Sequence, residues 1–253
     1  MTVSNTPGAP CWIELFTPDQ QAAAAFYGEL FGWTADPPQP EYGGYRLFLL
    51  DGEPVAGCMS NDGTMGPDTW SVYLESSDID ATVEKARAAG AEVVAGPMQV
   101  GPRGHRAVFV DPAGAAVGAW QPLDHQGFAV RAEVGAPAWF ETLSTEYDRS
   151  VAFYREAFDW STHTVSDTPE FRYTTFGEDD AAMAGIMDAA AFLQGGPSRW
   201  QFYIQVADTD AIVAKTLAAG GRLAMPVDDS PYGRLALLAD PAGVEFAVMG
   251  PTH

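Results

Sequence analysis

Positive charge is scarce in this chain. Of 253 residues only 13 are Lys or Arg, two of them lysine (Lys85 and Lys215), against 34 Asp and Glu, for a formal charge of −21. That balance repels phosphate backbones and anionic membrane surfaces, so neither nucleic acid nor membrane is expected as a partner. Cysteine is nearly absent: Cys11 and Cys58 form no CxxC and join no Cys/His cluster, which leaves them as structural thiols. The four histidines, His105, His125, His163 and His253, show no i, i+4 pairing. No apolar run approaches the roughly 20 residues needed to span a bilayer, and no signal-peptide pattern opens the chain, so a cytoplasmic protein is expected.

What the chain does have is a repeat. "PCWIELFTPD" from Pro10 returns as "PAWFETLSTE" from Pro137, and Phe26-Tyr27 with Trp33 returns as Phe153-Tyr154 with Trp160. "VAGCM" at Val55 matches "MAGIM" at Met183, and "DPAG" at Asp111 recurs unchanged at Asp240. An offset held near 128 residues means duplication of a whole domain, giving domains over 8–122 and 136–253 with a linker over 123–135. Within the first copy, alternation and turn signals predict a strand over 11–17, a helix capped by Asp19, strands near 45–50 and 54–59, and then the same plan again from residue 70. Each copy is thus two βαβββ units, and the chain holds four. The fold class is α+β.

The strand–helix–"FY…FGW" opening and the "DPxG" turn before the last strand resemble the vicinal oxygen chelate superfamily: glyoxalases, bleomycin-resistance proteins and extradiol dioxygenases. The chain looks especially like the tandem two-domain members found in actinobacteria. The resemblance covers nearly the whole chain, twice. It implies curved mixed sheets forming two cups, each with a ligand on its concave face.

In the enzymatic members of that superfamily a divalent metal is held by His, Glu or Gln from four strands. Carried over by position, the first-strand ligand falls on Trp12 and Trp139, and the last-strand ligand on Gly118 and Ala247. The strand opening the second half offers Ser71 and Gln201, and the stretches 54–60 and 182–187 contain no His, Asp or Glu. One glutamine cannot replace the several oxygen or nitrogen donors such an ion requires, so no metal and no other cofactor is expected.

Strand alternation places Trp12 and Glu14 on one face with Tyr73, and Trp139 and Glu141 with Gln201 and Tyr203 in the second copy. Glu14, Tyr73, Glu141 and Tyr203 are therefore the candidate catalytic residues, and Trp12, Trp139 and Gln201 candidate ligand contacts. An enclosed carboxylate needs a partner; the tyrosines are candidates, as are Arg46 and Arg172 on corresponding strands. Parity adds Glu245 to the second cup, which is accordingly expected to be the more polar. Three functions follow: a metal-free cup binding a small cationic or aromatic ligand, a metal-independent isomerase, cyclase or lyase with a glutamate as general base, or metal-dependent glyoxalase or dioxygenase chemistry. A purely structural role for the repeated Trp and Glu stands beside them. Because four units lie in one chain, a monomer is expected.

Overall fold

Alternation within the first strand of each copy decides how the halves are layered. In the computed structural model, which describes residues 6–64 and 66–252, β1 (Pro10–Thr17) fully buries Ile13 and Leu15 on one face and directs Trp12, Glu14 and Phe16 to the other. The first domain continues with α1 (Gln20–Phe31), β2 (Thr34–Ala35), β3 (Arg46–Leu50), β4 (Glu53–Ser60), β5 (Thr69–Glu75), α2 (Ile79–Ala88), β6 (Glu92–Val100), β7 (Gly104–Val110) and β8 (Ala116–Pro122). The second repeats the plan with β9 (Pro137–Ser144), α3 (Tyr147–Ala157), β10 (Thr162–Asp167), β11 (Arg172–Phe176), β12 (Ala184–Asp188), a one-turn α4 (Ala190–Leu193) and β13 (Arg199–Gln205). It closes with α5 (Thr209–Ala218), β14 (Arg222–Leu223), β15 (Asp228–Ser230), β16 (Gly233–Ala239) and β17 (Glu245–Gly250).

The helices begin where the sequence supplies caps. Asp19 accepts from the amides of Gln21 and Ala22, both at 2.9 Å, and Asp78 and Asp208 cap α2 and α5 in the same way. Gly32, at φ 75°, ends α1 in the left-handed conformation that glycine adopts without strain.

Each domain is one open mixed sheet. The strand order is β2-β3-β4-β1-β5-β8-β7-β6 in the first and β10-β11-β12-β9-β13-β17-β16-β14 in the second, where β15 also pairs with β16. The two βαβββ units of a domain meet along an antiparallel β1–β5 or β9–β13 seam, flanked by parallel β1–β4 and β5–β8 pairs and their counterparts. The expected α+β tandem architecture is therefore what forms.

The repeated motifs also join the domains, a role not legible in either copy alone. Tyr27 on α1 donates to Asp240 Oδ2 of the other domain at 3.1 Å and accepts from Trp70 Nε1 at 3.0 Å. Its counterpart Tyr154 donates to Asp111 Oδ2 at 2.9 Å and accepts from Trp200 Nε1 at 2.7 Å. The second oxygen of each aspartate serves the turn, with Asp111 Oδ1 accepting from the amides of Ala113 and Ala115 and Asp240 Oδ1 from that of Val244. Trp33 and Trp160 reach across to the carbonyls of Gly135 and Gly8. Phe26 meets Phe246 and Trp70 meets Phe202, so the buried apolar residues of both domains form one cluster.

Candidate functional site

On the concave face of the first sheet, cross-strand register sets Trp12 opposite Tyr73 and Glu14 opposite Ser71, with Gly57 of β4 on the other side of Glu14. Tyr73 Oη donates to Glu14 Oε2 at 2.8 Å, Trp12 Nε1 donates to Tyr45 Oη at 2.9 Å, and Tyr45 stands beside the same carboxylate. The second sheet builds the same chain of contacts. Trp139 Nε1 donates to Tyr173 Oη at 3.0 Å, and Tyr173 and Tyr203 donate to the two oxygens of Glu141 at 2.8 and 2.7 Å. Gln201 Nε2 completes it with a 2.6 Å bond to Tyr203 Oη. Burial pushes both glutamate carboxyls up from the usual range. Arg106 and the tyrosine hydroxyls oppose it at Glu14, and Tyr203, Tyr173 and Trp139 oppose it at Glu141.

Glycines make room for these rings. A Cβ on Gly57 would lie 2.5 Å from Tyr45 Cζ and 3.0 Å from Trp12 Nε1, and one on Gly185 would meet the Tyr173 ring. At Gly118 a Cβ would fall within the Tyr73 ring, 2.7 Å from Cγ and nearer still to Cδ1 and Cε1. Gly118 is the last-strand position at which the superfamily resemblance implies a metal ligand, and a tyrosine ring fills the space that such a side chain needs. Among the described residues no three of His, Cys, Asp and Glu come together as a metal-binding group. His253 lies outside the described residues, and the His163 imidazole pairs with Glu178 at 3.5 Å on the surface. Burial pushes the Cys58 thiol up to about 12 and raises Cys11 further, so both stay protonated.

The two cups differ in what surrounds this shared core. The first opens onto a cavity of about 190 Å³ lined by Trp12, Glu14, Tyr73, Arg103, Arg106 and His125 among others. Arg106 Nη1 approaches Glu14 Oε2 to 3.9 Å. Arg103 lies over the Tyr42 ring at 4.4 Å and donates to Gln39 Oε1. The segment joining the domains folds back over the cup: His125 meets the Trp12 ring edge-on at 4.4 Å, and its carbonyl accepts from Trp120 Nε1. Burial, with Arg103 nearby, pushes the His125 pKa down to about 4, so its imidazole is neutral at ordinary pH.

Three expectations need correction. Arg46 and Arg172 do not reach the glutamates: Arg46 Nε donates to the Asp36 carbonyl at 2.7 Å, and Arg172 bonds Asp148 and Asp167 at 2.7 Å each. The reason is parity, because the adjacent residues, Tyr45 before Arg46 and Tyr173 after Arg172, turn into the cups and send the arginines to the opposite face. Glu245 has cup parity but not cup depth. Two residues, about 6.6 Å of strand, separate it from Ala247, and it pairs at the rim with Arg199 at 3.7 Å and Arg222 at 3.6 Å. The second cup thereby lacks the carboxylate on which its greater expected polarity rested, and Leu235 stands where the first has Arg106. Sequence reasoning missed Tyr45, Tyr173, Arg106 and His125. The tyrosines were detectable as a second matched pair at the repeat offset, and Arg106 as a charge on the cup parity of β7, one residue from His105.

Known proteins match along both halves. The family model described as "Glyoxalase/Bleomycin resistance protein/Dioxygenase superfamily" covers residues 11–118, and a "Glyoxalase-like domain" model covers 140–249. CFP32 of Mycobacterium tuberculosis, which bears a provisional glyoxylase name, is 37% identical over 250 residues, spanning 96% of this chain and 95% of that one. The anthracycline biosynthesis protein DauV of a Streptomyces species is 33% identical over 260 residues, spanning 96% and 93%. The Mn(II)-bound glyoxalase of Novosphingobium aromaticivorans superposes with a TM-score of 0.64 at 14% identity, over 96% of this chain and 82% of that one, a likeness of fold.

Proposed function

The chain belongs to the Glyoxalase/Bleomycin resistance protein/Dioxygenase superfamily, and from that premise we propose that its first cup binds a small organic ligand without a divalent ion. The observation that carries this reading is the Tyr73 ring seated over Gly118 with its hydroxyl on Glu14. A metal in that place needs several oxygen or imidazole donors, whereas the corresponding positions hold Trp12, Ser71 and Gly118, and in the second domain Trp139, Gln201 and Ala247. These residues do not fit the ion. What they fit is an aromatic body: the cavity has indole and phenol walls, with Glu14, Arg103, Arg106 and His125 set among them, and a volume below the roughly 300–1,000 Å³ of drug-sized sites. A relative named for anthracycline biosynthesis supports an organic molecule as the ligand.

Titrating tryptophan fluorescence with small aromatic compounds tests this, because Trp12 and Trp120 line the cavity. Saturable quenching, reduced in Trp12→Phe and unaffected by chelator, is the expected outcome; absence of any saturable response refutes it. One observation favours a second reading, metal-independent catalysis: Glu14 lines the cavity, is pushed up by burial and has a tyrosine hydroxyl at 2.8 Å, the setting of a general base for an isomerase, cyclase or lyase step. Glu141, with both oxygens already taken by tyrosines, suits that role less. Under the catalytic reading Glu14→Gln abolishes turnover and retains binding; under the binding reading the ligand returns unchanged from the wild type. The continuous core across both domains supports a monomer, to be checked by sedimentation equilibrium.

A further inference from the structure

The second cup acts as an internal control for the first. Both contain the same Trp–Tyr–Glu–Tyr chain, yet only the first adds Arg106 and His125. Among the described residues Glu141 is held by Tyr173 and Tyr203, with no Arg or His bonded to it, so neither Arg106 nor His125 is needed to hold the glutamate. Each also presents a buried atom without a partner, Arg106 Nε and His125 Nε2, and both side chains line the cavity. A guanidinium Nε–H can only donate, and a neutral imidazole can donate from Nε2 in one of its two tautomers. The unmatched Arg106 Nε–H, joined by His125 in its Nε2–H tautomer, calls for an acceptor that the described residues do not supply, and both residues line the cavity.

Charge decides which acceptor. The cavity wall carries two guanidiniums, Arg103 and Arg106, against the single carboxyl of Glu14. Arg103 is fixed in place by the Tyr42 ring and Gln39. The chain as a whole is strongly acidic, which favours cations, but charges more than about 8 Å away across solvent are largely screened at physiological salt. Groups facing the enclosed cavity therefore outweigh the surface.

We propose that the first cup selects a small aromatic molecule carrying one anionic oxygen group, a carboxylate or its equivalent. Arg106 Nε and His125 Nε2 donate to that group, and the rings of Trp12 and Trp120 cover the apolar body. The inference rests on the reading of this cup as an organic-ligand site and specifies its ligand class. The full chain should be titrated with benzoate, benzyl alcohol and benzamidine at matched ionic strength, through the millimolar range, by tryptophan fluorescence and ligand-observed NMR. Benzoate should bind at least tenfold more tightly than benzamidine. Arg106→Gln should erase that preference while leaving benzyl alcohol affinity within a factor of about two, the neutral ligand having no charge to lose. His125→Ala should weaken benzoate more than benzyl alcohol.

Leucine at the equivalent place in the second domain indicates that the position tolerates an uncharged side chain, and the wild-type selectivity tests the proposal without any variant. If benzyl alcohol or benzamidine binds as well as benzoate, the anion assignment is wrong and the organic-ligand reading stands. If Arg106→Gln leaves benzoate affinity unchanged, the assignment is likewise overturned. If none of the three binds, both readings fall.

Discussion

Adding a single methyl group at Gly118 tests the packing argument most sharply. A Cβ there enters the space of the Tyr73 ring, so the ring must move, and moving it breaks the 2.8 Å bond to Glu14. Overpacking a well-filled interior costs about 1–3 kcal/mol, and leaving the buried carboxyl without its donor costs about 1–3 kcal/mol more. Gly118→Ala should therefore destabilise the protein by roughly 2–6 kcal/mol, less an offset of up to about 1 kcal/mol from the reduced freedom of the unfolded chain. For a chain of this size each kcal/mol lowers the melting temperature by about 2–4 °C, so scanning calorimetry resolves the effect. The decisive comparison is with Gly118→Ala in a Tyr73→Ala background. With the ring gone the methyl group has room, and its cost should fall to within about 1 kcal/mol of zero, a coupling expected only between residues in contact. Equal costs in both backgrounds would refute the account of the glycine as space for the ring.

Other consequences are accessible to simple assays. Tyr27→Phe removes the donor to buried Asp240 across the domain junction and should cost about 1–3 kcal/mol in urea unfolding, with Tyr154→Phe behaving alike. Burial raises Glu141 above its ordinary value of 4.5, so the stability it contributes is complete below pH 4.5 and is lost as pH rises through the folded-state value. Glu141→Gln should therefore gain stability relative to wild type as pH is raised from 4.5 towards neutrality. A difference between the two proteins that does not change with pH would contradict that assignment. Arg46→Ala and Arg172→Ala, whose side chains point away from the cups, should leave ligand affinity in the fluorescence titration unchanged.

The fold was legible because its signals are local and occur twice. Asp19, Asp78 and Asp208 announce helix starts, and Trp12/Glu14 alternating with Ile13/Leu15 announces a two-faced strand. The candidate site was half legible: parity places Trp12, Glu14 and Tyr73 together, but Arg46 and Arg172 are suggested only by lying on corresponding strands, and the side chains that reach the glutamates from those strands are Tyr45 and Tyr173. Depth along a strand is not encoded in parity at all, which is why Glu245 was assigned to the cup and stands at its rim. Nothing local announced His125, because a connecting segment carries no period; its place depends on the chain folding back over the first cup, where its carbonyl meets Trp120. The pairing of Tyr27 with Asp240 spans 213 residues and follows only from how the two domains dock.

On the proposed reading, aromatic rings packed over Gly57, Gly118 and Gly185 occupy the space that a metal site would need. Elemental analysis of untagged protein purified without chelator, followed by titration with manganese, zinc, nickel and iron(II), tests it most directly. Well under one tenth of an equivalent of any divalent ion and no saturable uptake are expected. One or two ions held firmly per chain, with Glu14 or Glu141 needed to hold them, would contradict it.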